Sequence, residues 1–162
     1  MKELLIIRSV SFQQLDKNLV AILERFPDHK INLLTHEHGV LLARKYKAID
    51  QIYVYPHKEG FACRRKVKEL KDRRFDTVII PVTNLSGAGF VNVYLFSLSV
   101  NAKKRFVCNV VSEFREVSRT RILLMGVRNQ LFSLFSILFT LVAGFFALLM
   151  LPLKLQQIQE RK

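Results

Sequence analysis

The sequence predicts an α/β domain with a doubly wound, mainly parallel sheet of about five strands, followed by a C-terminal transmembrane helix. The first observation is that short apolar runs rich in Ile and Val alternate with stretches of helical periodicity over residues 1–111. Such alternation is typical of parallel strands that are buried on both faces and joined by crossover helices. The second observation is that residues 131–153 form a segment of 23 residues without a charged side chain.

Each apolar run has the length of a single strand, and the runs are predicted to cover residues 3–8, 30–35, 51–55, 76–82 and 104–109. Helices are predicted between them, at residues 15–25, 40–46, 62–73 and 89–100. The first helix should end at Phe26, because a residue before proline disfavours helical backbone. Right-handed crossovers through these helices give a Rossmann-like layer over residues 1–111.

The uncharged segment is long enough to cross a membrane, since a helix of this length rises roughly 34 Å and the hydrocarbon core is about 30 Å thick. A buried helix of a soluble protein would need a polar stripe, and here only Ser and Thr are available. The run at residues 4–7 is too short for a signal peptide. We therefore expect a single-pass C-terminal anchor with a short polar tail at residues 154–162. The domain is expected on the cytoplasmic face of a membrane, the inner membrane if the protein is bacterial.

The chain is strongly basic, because 26 Lys and Arg against 13 Asp and Glu give a net charge of +13. Such a charge indicates an anionic partner, either nucleic acid or an anionic membrane surface. The basic stretch at residues 64–74 lacks the interleaved aromatic residues of nucleic-acid-binding modules. Anionic lipid is therefore the predicted partner, and nucleic acid is not. Cys63 and Cys108 form no CxxC pair, which fits a reducing compartment.

Residues 112–130 mix basic and apolar side chains and are predicted to form a basic juxtamembrane helix at the level of the lipid headgroups. Its arginines are expected to face anionic lipid, at about 1 kcal/mol each. They are Arg115, Arg119, Arg121 and Arg128. The alternative is a last domain helix whose basic face is solvated.

Within the membrane segment, small residues recur at spacings of three and four, as in helices that pack closely in lipid. They are Ser136, Thr140, Gly144 and Ala147. We expect this stripe to contact another copy of the chain or a different membrane protein. The alternative is a chance arrangement of residues that are common in membrane helices.

Five stretches in chain order read LLIIRSVSF, ERFPDHKINLLT, IDQIYVYP, RRFDTVIIPVTN and NAKKRFVCN. They cover about residues 3–110 and resemble the N-terminal domain of the heptosyltransferase-like family, glycosyltransferase family 9. The resemblance implies a GT-B fold, in which the N-terminal domain receives a lipid-linked acceptor and the C-terminal domain holds a nucleotide-sugar donor. It also implies a role in lipopolysaccharide core or related envelope glycans at the cytoplasmic face of the membrane.

The turn after the first strand departs from the family pattern Arg-x-Ser-x-x-Gly-Asp, in which the Asp is the expected general base. Counting from Arg8 places Gln13 at the Gly and Gln14 at the Asp, and an amide cannot take a proton from an acceptor hydroxyl. A shifted register would bring Asp16 into the site as the catalytic base. The alternative is an exposed Asp at a helix start. Ser11 and Gln14 of this turn are expected to contact the acceptor.

Two further loops carry candidate substrate contacts. His36 and His38 follow the second strand, at the carboxyl edge where α/β sheets bind ligands. Ser86 and Gly87 belong to a glycine-bearing loop whose N–H groups would suit an acceptor phosphate. Ordinary polar-loop and turn chemistry is the alternative at both places. Neither a metal site nor a cofactor is predicted, because the four histidines of the chain do not form a ligand pattern.

The donor-binding residues of the family have no counterparts after residue 110, where the membrane segment follows. The first hypothesis is therefore a membrane-anchored, acceptor-side half domain whose donor half is supplied by another chain. The rival is a non-catalytic Rossmann-like scaffold or interaction subunit, which Gln13 and Gln14 favour. A self-sufficient enzyme that uses Asp16, Glu37 or a histidine is the third hypothesis. The sequence leaves open whether the chain is catalytic.

Overall fold

A computed structural model of the protein describes the backbone of residues 2–159 and the side chains of residues 2–148, 150 and 151. The strands are β1 (Lys2–Ile7), β2 (His29–His36), β3 (Gln51–Tyr55), β4 (Phe75–Pro81), β5 (Ala102–Cys108) and β6 (Phe114–Glu116). The helices are α1 (Phe12–Arg25), α2 (Val40–Ala43), α3 (Val91–Ser97) and α4 (Arg119–Gln159). The chain divides into two compact units, Met1–Gly126 and Val127–Lys162.

The strands form one sheet in the order β3-β2-β1-β4-β5-β6. The first five strands along the chain are parallel, and β6 pairs antiparallel with β5. In the register, Ile6 lies opposite Leu33 on one side and Ile79 on the other. The prediction of an α/β domain with a mainly parallel sheet is confirmed, with six strands in place of about five.

Alternate residues of β1 enter two separate hydrophobic clusters, because successive side chains of a strand point to opposite faces. Leu5 belongs to the cluster that contains Phe96 of α3 and Ile122 of α4. Leu4 belongs to the cluster that contains Leu15 of α1 and Ala43 of α2. Both faces of β1 are thus covered, and each fully buried Leu contributes about 1.5–3 kcal/mol to folding.

Helix α1 begins at Phe12, three residues before its predicted start and directly after a cap on Ser11, and ends before a proline, as its sequence predicts. The Ser11 hydroxyl accepts a hydrogen bond from the N–H of Gln14 at 3.2 Å, which satisfies one of the free N–H groups of the first turn. At the other end, the N–H of Phe26 still bonds to the carbonyl of Ile22, and the proline that follows leaves the helix.

A buried amide connects α1 to the turn between β5 and β6. The Asn18 side chain is fully buried, and its Nδ2 donates to Asn109 O at 2.9 Å and Ser112 Oγ at 3.0 Å. The same Nδ2 lies 3.1 Å from Cys108 Sγ. Its Oδ1 accepts from Gln14 Nε2 at 3.1 Å. The contacts join residues about 90 positions apart, so this one amide fixes where α1 lies on the sheet.

A buried arginine of β5 binds the carboxyl end of α3. Arg105 is 3% exposed, and its guanidinium donates to Ser97 O, Val100 O and Ala102 O at 2.7–3.2 Å. A cation is favourable there, because the last carbonyls of a helix carry partial negative charge. Burial, followed by the nearby Arg119, lowers the pKa of Arg105 to about 10, so the side chain stays charged at pH 7.

The predicted helix at residues 62–73 is wrong. Within this connection the structure has only a single 3-10 turn, Lys68–Leu70. Phe61, Val67 and Leu70 are buried in the core, and most of the intervening side chains are exposed. Three anchors hold the segment against the sheet as an irregular connection, since its closely spaced Lys and Arg side chains repel one another and oppose a regular helix.

The predicted basic helix over residues 112–130 is also wrong in its first part. Residues 114–116 form strand β6, and the helix begins only at Arg119, after Ser118 has accepted a hydrogen bond from the N–H of Arg121. The turn before β6 holds Ser112 at a φ of 63°. Asn109 stabilises that turn, because its Oδ1 accepts from two backbone N–H groups.

Helix α4 is long and apolar enough to cross a membrane, judged by its length and composition. It has 41 residues, and an 18-residue window within Arg119–Leu148 has a mean hydropathy of 2.4 and no buried residue. The predicted membrane helix is confirmed to this extent. The predicted polar tail lies partly outside the described residues, since the backbone is helical up to Gln159 and described no further.

Candidate functional site

The strand order brings the turns after β1 and β4 together at the carboxyl edge of the sheet. The chain passes from β1 to β2 and β3 on one side and continues in β4 and β5 on the other, so the direction reverses between β1 and β4. Ligands of open α/β sheets bind at such a point. A pocket of about 390 Å³ lies there, lined among others by Arg8, His36, His38, Gly89 and Asn92.

Arg8 is the most firmly positioned side chain of this pocket. Its Nε donates to Thr35 Oγ1 at 2.7 Å and its Nη1 to Val10 O at 2.9 Å. Its guanidinium carbon lies 4.5 Å from the centroid of the Phe12 ring, a cation–π contact. None of the ion pairs among the described residues involves Arg8. The pocket therefore holds an oriented cation whose charge is not neutralised by a carboxylate.

The close packing around Arg8 requires a glycine on the next loop. A Cβ on Gly39 would lie 3.0 Å from Arg8 Nη2 and 3.3 Å from Phe12, and it would overlap the Thr35 hydroxyl. Gly39 is itself buried. Any larger residue at this position would push the guanidinium away from Thr35.

The two histidines form a wall of the same pocket. The rings of His36 and His38 stack with centroids 5.5 Å apart, and His36 also packs against Phe61. His36 Nε2 donates to Glu59 O at 3.4 Å, because a carbonyl can only accept. His38 Nε2 lies 3.5 Å from Arg8 Nη2 and accepts from it. A second cavity of about 270 Å³ lies against the same pair.

Burial lowers the pKa of His36 below its usual 6.5; the hydrogen bond to Glu59 opposes this shift, and the charges of Arg8 and His38 add to it. We expect the ring to titrate with a midpoint below 6.5 in an NMR titration of the full chain in detergent. Since the unfolded chain binds this proton first, His36 should reduce stability as the pH falls below 6.5. In Arg8→Gln the midpoint should rise. A midpoint at or above 6.5 in the unmodified protein would contradict the described burial.

The structure places the residues predicted in the first turn away from this pocket. The Asp16 carboxylate is exposed and accepts a hydrogen bond from the Tyr46 hydroxyl. That bond, after burial, helps raise the pKa of Tyr46 to about 12. Gln14 Nε2 donates to Val110 O and to Asn18, and Ser11 caps α1. These side chains have structural partners, and their predicted roles in substrate binding and catalysis stay predictions.

The loop after β4 uses its own polar groups to hold its shape. Asn84 Oδ1 accepts from the N–H of Gly87 at 2.5 Å, and Ser86 Oγ accepts from the N–H of Ala88 at 3.2 Å. The two N–H groups are therefore occupied and are not offered to a phosphate. Gly87 and Gly89 adopt positive φ values of 76° and 85°, which L side chains rarely adopt.

Replacing Gly87 by Ala is expected to lower the free energy of unfolding by about 2–4 kcal/mol, because backbone strain adds to an overlap of the new Cβ with the Tyr94 hydroxyl. Gly89→Ala is the matched control. It has the same strain, but no atom lies within 4 Å of its Cβ, so we expect a loss of only about 1–2 kcal/mol. Urea unfolding of the full chain in detergent measures both, and equal losses would contradict a contribution from Tyr94.

The four arginines that were predicted to face lipid have different surroundings. Arg115 lies in β6 and donates to Ser86 O at 3.1 Å. Arg119, Arg121 and Arg128 are exposed on α4, and their contact with anionic lipid stays a prediction.

The stripe of small residues lies on the exposed surface of α4. Its members, Ser136, Thr140, Gly144 and Ala147, are all exposed. Thr140 Oγ1 donates to Ser136 O at 2.8 Å, so this hydroxyl is satisfied within its own helix. Packing of the stripe against another chain stays a prediction.

Sequence reasoning did not include Arg8 among the site residues. Its one signal is a charged residue directly after the buried run of β1, at the carboxyl edge of the sheet. Across the described residues, no group of three or more His, Cys, Asp or Glu side chains is close enough to hold a metal ion. Comparisons with protein-family models, with curated proteins and with solved structures found no match to this chain.

Proposed function

We propose that the protein is a membrane-anchored, glycosyltransferase-like acceptor-side half domain that serves the assembly of a lipopolysaccharide-type envelope glycan. Its domain is Rossmann-like and doubly wound, a proposal supported by the strand order β3-β2-β1-β4-β5-β6 and by hydrophobic clusters on both faces of the sheet. The donor site for the nucleotide-sugar is supplied by a partner chain. Helix α4, which follows the sheet domain directly, is the membrane anchor.

The observation that carries the proposal is the oriented and unneutralised Arg8 in the carboxyl-edge pocket. Thr35, Val10 and His38 take three of the five N–H donors of the guanidinium, which leaves one donor on each terminal nitrogen for the oxygens of a phosphate. The described wall of this pocket includes neither Asp nor Glu. A phosphate group on a lipid-linked acceptor therefore fits the pocket in charge and in position.

The chemistry of the pocket is binding and orientation. The Asp16 carboxylate is bonded to Tyr46 and does not line the pocket, so it is not placed to act as a general base there. The role proposed for this domain is to position the acceptor, while a partner completes the transferase. Arg119, Arg121 and Arg128 are proposed to face anionic lipid at the cytoplasmic side of the membrane.

The proposal is tested by binding of a phosphorylated glycolipid of the lipopolysaccharide inner core to the full chain in detergent, with the dephosphorylated glycolipid as matched ligand. We expect at least about tenfold tighter binding of the phosphorylated form, or about 1.4 kcal/mol, and loss of this difference in Arg8→Gln. Arg74→Gln, at an exposed cation outside the pocket, is the control and should bind as the unmodified protein does. Equal binding of the two glycolipids by the unmodified protein would refute the phosphate site.

A non-catalytic membrane scaffold is the second candidate. It is favoured by the first turn, where the Gln14 amide and the Asp16 carboxylate are both engaged in structural hydrogen bonds. The two candidate functions predict different envelope glycans in cells that carry Arg8→Gln in place of the unmodified protein. A truncated envelope glycan, with normal amounts of the protein in the membrane, supports the acceptor-side function, whereas an intact glycan supports the scaffold.

A further inference from the structure

Three aromatic side chains form a half-buried cluster on the face of the sheet that α1 covers only in part. Phe26 follows α1, Phe106 belongs to β5 and Phe114 to β6. The ring of Phe26 lies 5.7 Å from that of Phe106 and 5.8 Å from that of Phe114, both in edge contact. The three rings pack against the cluster beneath α1 without being buried themselves. Part of each ring therefore remains open to a partner.

Two depressions flank this aromatic cluster. One has a volume of about 290 Å³ and is lined by Phe26 and Phe106 together with Lys2 and Lys104. The other has a volume of about 580 Å³ and is lined by Phe114 and Arg25, among others. The surface is therefore concave on both sides of the rings, which is the shape that receives protruding side chains rather than a flat bilayer.

The rim of the two depressions is basic. Lys2, Arg25 and Lys104 are exposed, and none of them takes part in an ion pair among the described residues. Asp76 and Glu113 are the acidic groups that line the two depressions, and both are engaged, since Asp76 binds Lys103 at 2.6 Å and Glu113 accepts from an asparagine. Glu116, which pairs with Phe106 in the register, lines neither depression. The six residues Phe26, Phe106, Phe114, Lys2, Arg25 and Lys104 are called the aromatic-basic face below.

A buried polar atom also lies at this face. His29 lines the smaller depression, and its Nδ1 is buried without a hydrogen-bond partner among the described residues. The ring of His29 contacts Phe26 at 5.3 Å. The smaller depression is therefore lined by a ring that has an unsatisfied polar atom, which marks this face as more than a purely apolar surface.

We propose that the aromatic-basic face is the docking site for an acidic amphipathic helix of another protein. The apolar side of such a helix covers the three phenylalanines, and Asp or Glu on its flanks pairs with Lys2, Arg25 and Lys104. A second copy of this chain is a poor occupant, because its net charge of +13 would be repelled by the basic rim. Nucleic acid is disfavoured, because the rings contact one another and offer little free face for stacking. The docking site lies outside the carboxyl-edge pocket and does not rest on the proposed function.

The test is photo-cross-linking in cells that express the full chain, with p-benzoylphenylalanine in place of Lys104. The matched control carries the same amino acid in place of Lys71, an exposed cation of the connection before β4. We expect cross-links at position 104 to exceed those at position 71 at least about fivefold. Mass spectrometry should map them to an acidic amphipathic helix of another protein.

Charge variants separate this docking from incidental contact. Lys2→Glu and Arg25→Glu, each combined with the cross-linker at position 104, should reduce the cross-link about fivefold or more, and Lys71→Glu should leave it unchanged. Immunoblots of the membrane fraction confirm equal protein levels. Cross-links only to lipid, to RNA or to a second copy would overturn the proposal. So would a yield no higher than at position 71, or a yield that the two charge variants leave unaltered.

Discussion

Replacing Arg105 by Met is expected to lower the free energy of unfolding by about 3–5 kcal/mol, because the carbonyls of Ser97, Val100 and Ala102 lose a charged donor while they stay buried. Met is similar to Arg in length and fills much of the same space, so little of this loss comes from a cavity. Urea unfolding of the full chain in detergent, followed by near-UV circular dichroism, measures it.

Lys104→Met is the matched control for this prediction. It changes the neighbouring residue of β5, which is exposed and has no ion pair among the described residues, and we expect a change within about 0.5 kcal/mol. A loss below about 1 kcal/mol in Arg105→Met would contradict the role given to the guanidinium. It would mean that the carbonyls at the end of α3 find other donors.

Replacing Asn18 by Asp is expected to have the second large effect, a loss of about 3–4 kcal/mol in the free energy of unfolding. The change keeps the size of the side chain but removes the Nδ2 donor, so that a carboxylate oxygen faces Asn109 O and Ser112 Oγ in a fully buried position. Gln14 Nε2 still donates to one carboxylate oxygen, but the other oxygen faces the Asn109 carbonyl, so the buried charge is strongly unfavourable. Because Asp can be protonated, part of the loss should be recovered as the pH falls.

Asn18→Ala separates the effect of the lost hydrogen bonds from the effect of the buried charge. It removes the same donor without adding a carboxylate, and we expect a smaller loss of about 2–3 kcal/mol that does not change with pH in the same way. Both variants are followed by thermal unfolding of the full chain in detergent. If Asn18→Asp were as stable as the unmodified protein, the described contacts of this amide with the turn before β6 would be incorrect.

The strands of the parallel sheet could be predicted from the sequence, because a strand buried on both faces needs a continuous apolar run, and Leu4 to Ile7 are all buried. The irregular connection at residues 62–73 could not be predicted from the sequence. Phe61, Val67 and Leu70 anchor this connection to the core through tertiary contacts, which the local sequence pattern does not contain. Strand β6 was missed because it has only three residues, two of them charged, and therefore lacks the apolar run by which the other strands were predicted.

The place of the candidate site at the carboxyl edge followed from the alternation of strands and helices, and His36 and His38 lie there as expected. Arg8, the central side chain of the site, could not be predicted in the same way. Arg8 is held by Thr35, 27 positions away, and by a glycine at position 39 that leaves room for it. Contacts of that separation depend on the register between β1 and β2, which periodicity alone does not contain.

Strand β6 has a consequence for how the protein behaves when it is crowded. It ends the sheet with three residues, and two of them, Arg115 and Glu116, are charged and exposed. A long apolar edge would offer free N–H and C=O groups to the sheets of neighbouring copies, whereas a short, charged, antiparallel edge does not. At this edge of the sheet, therefore, the three-residue strand opposes edge-to-edge pairing between two crowded copies of the domain.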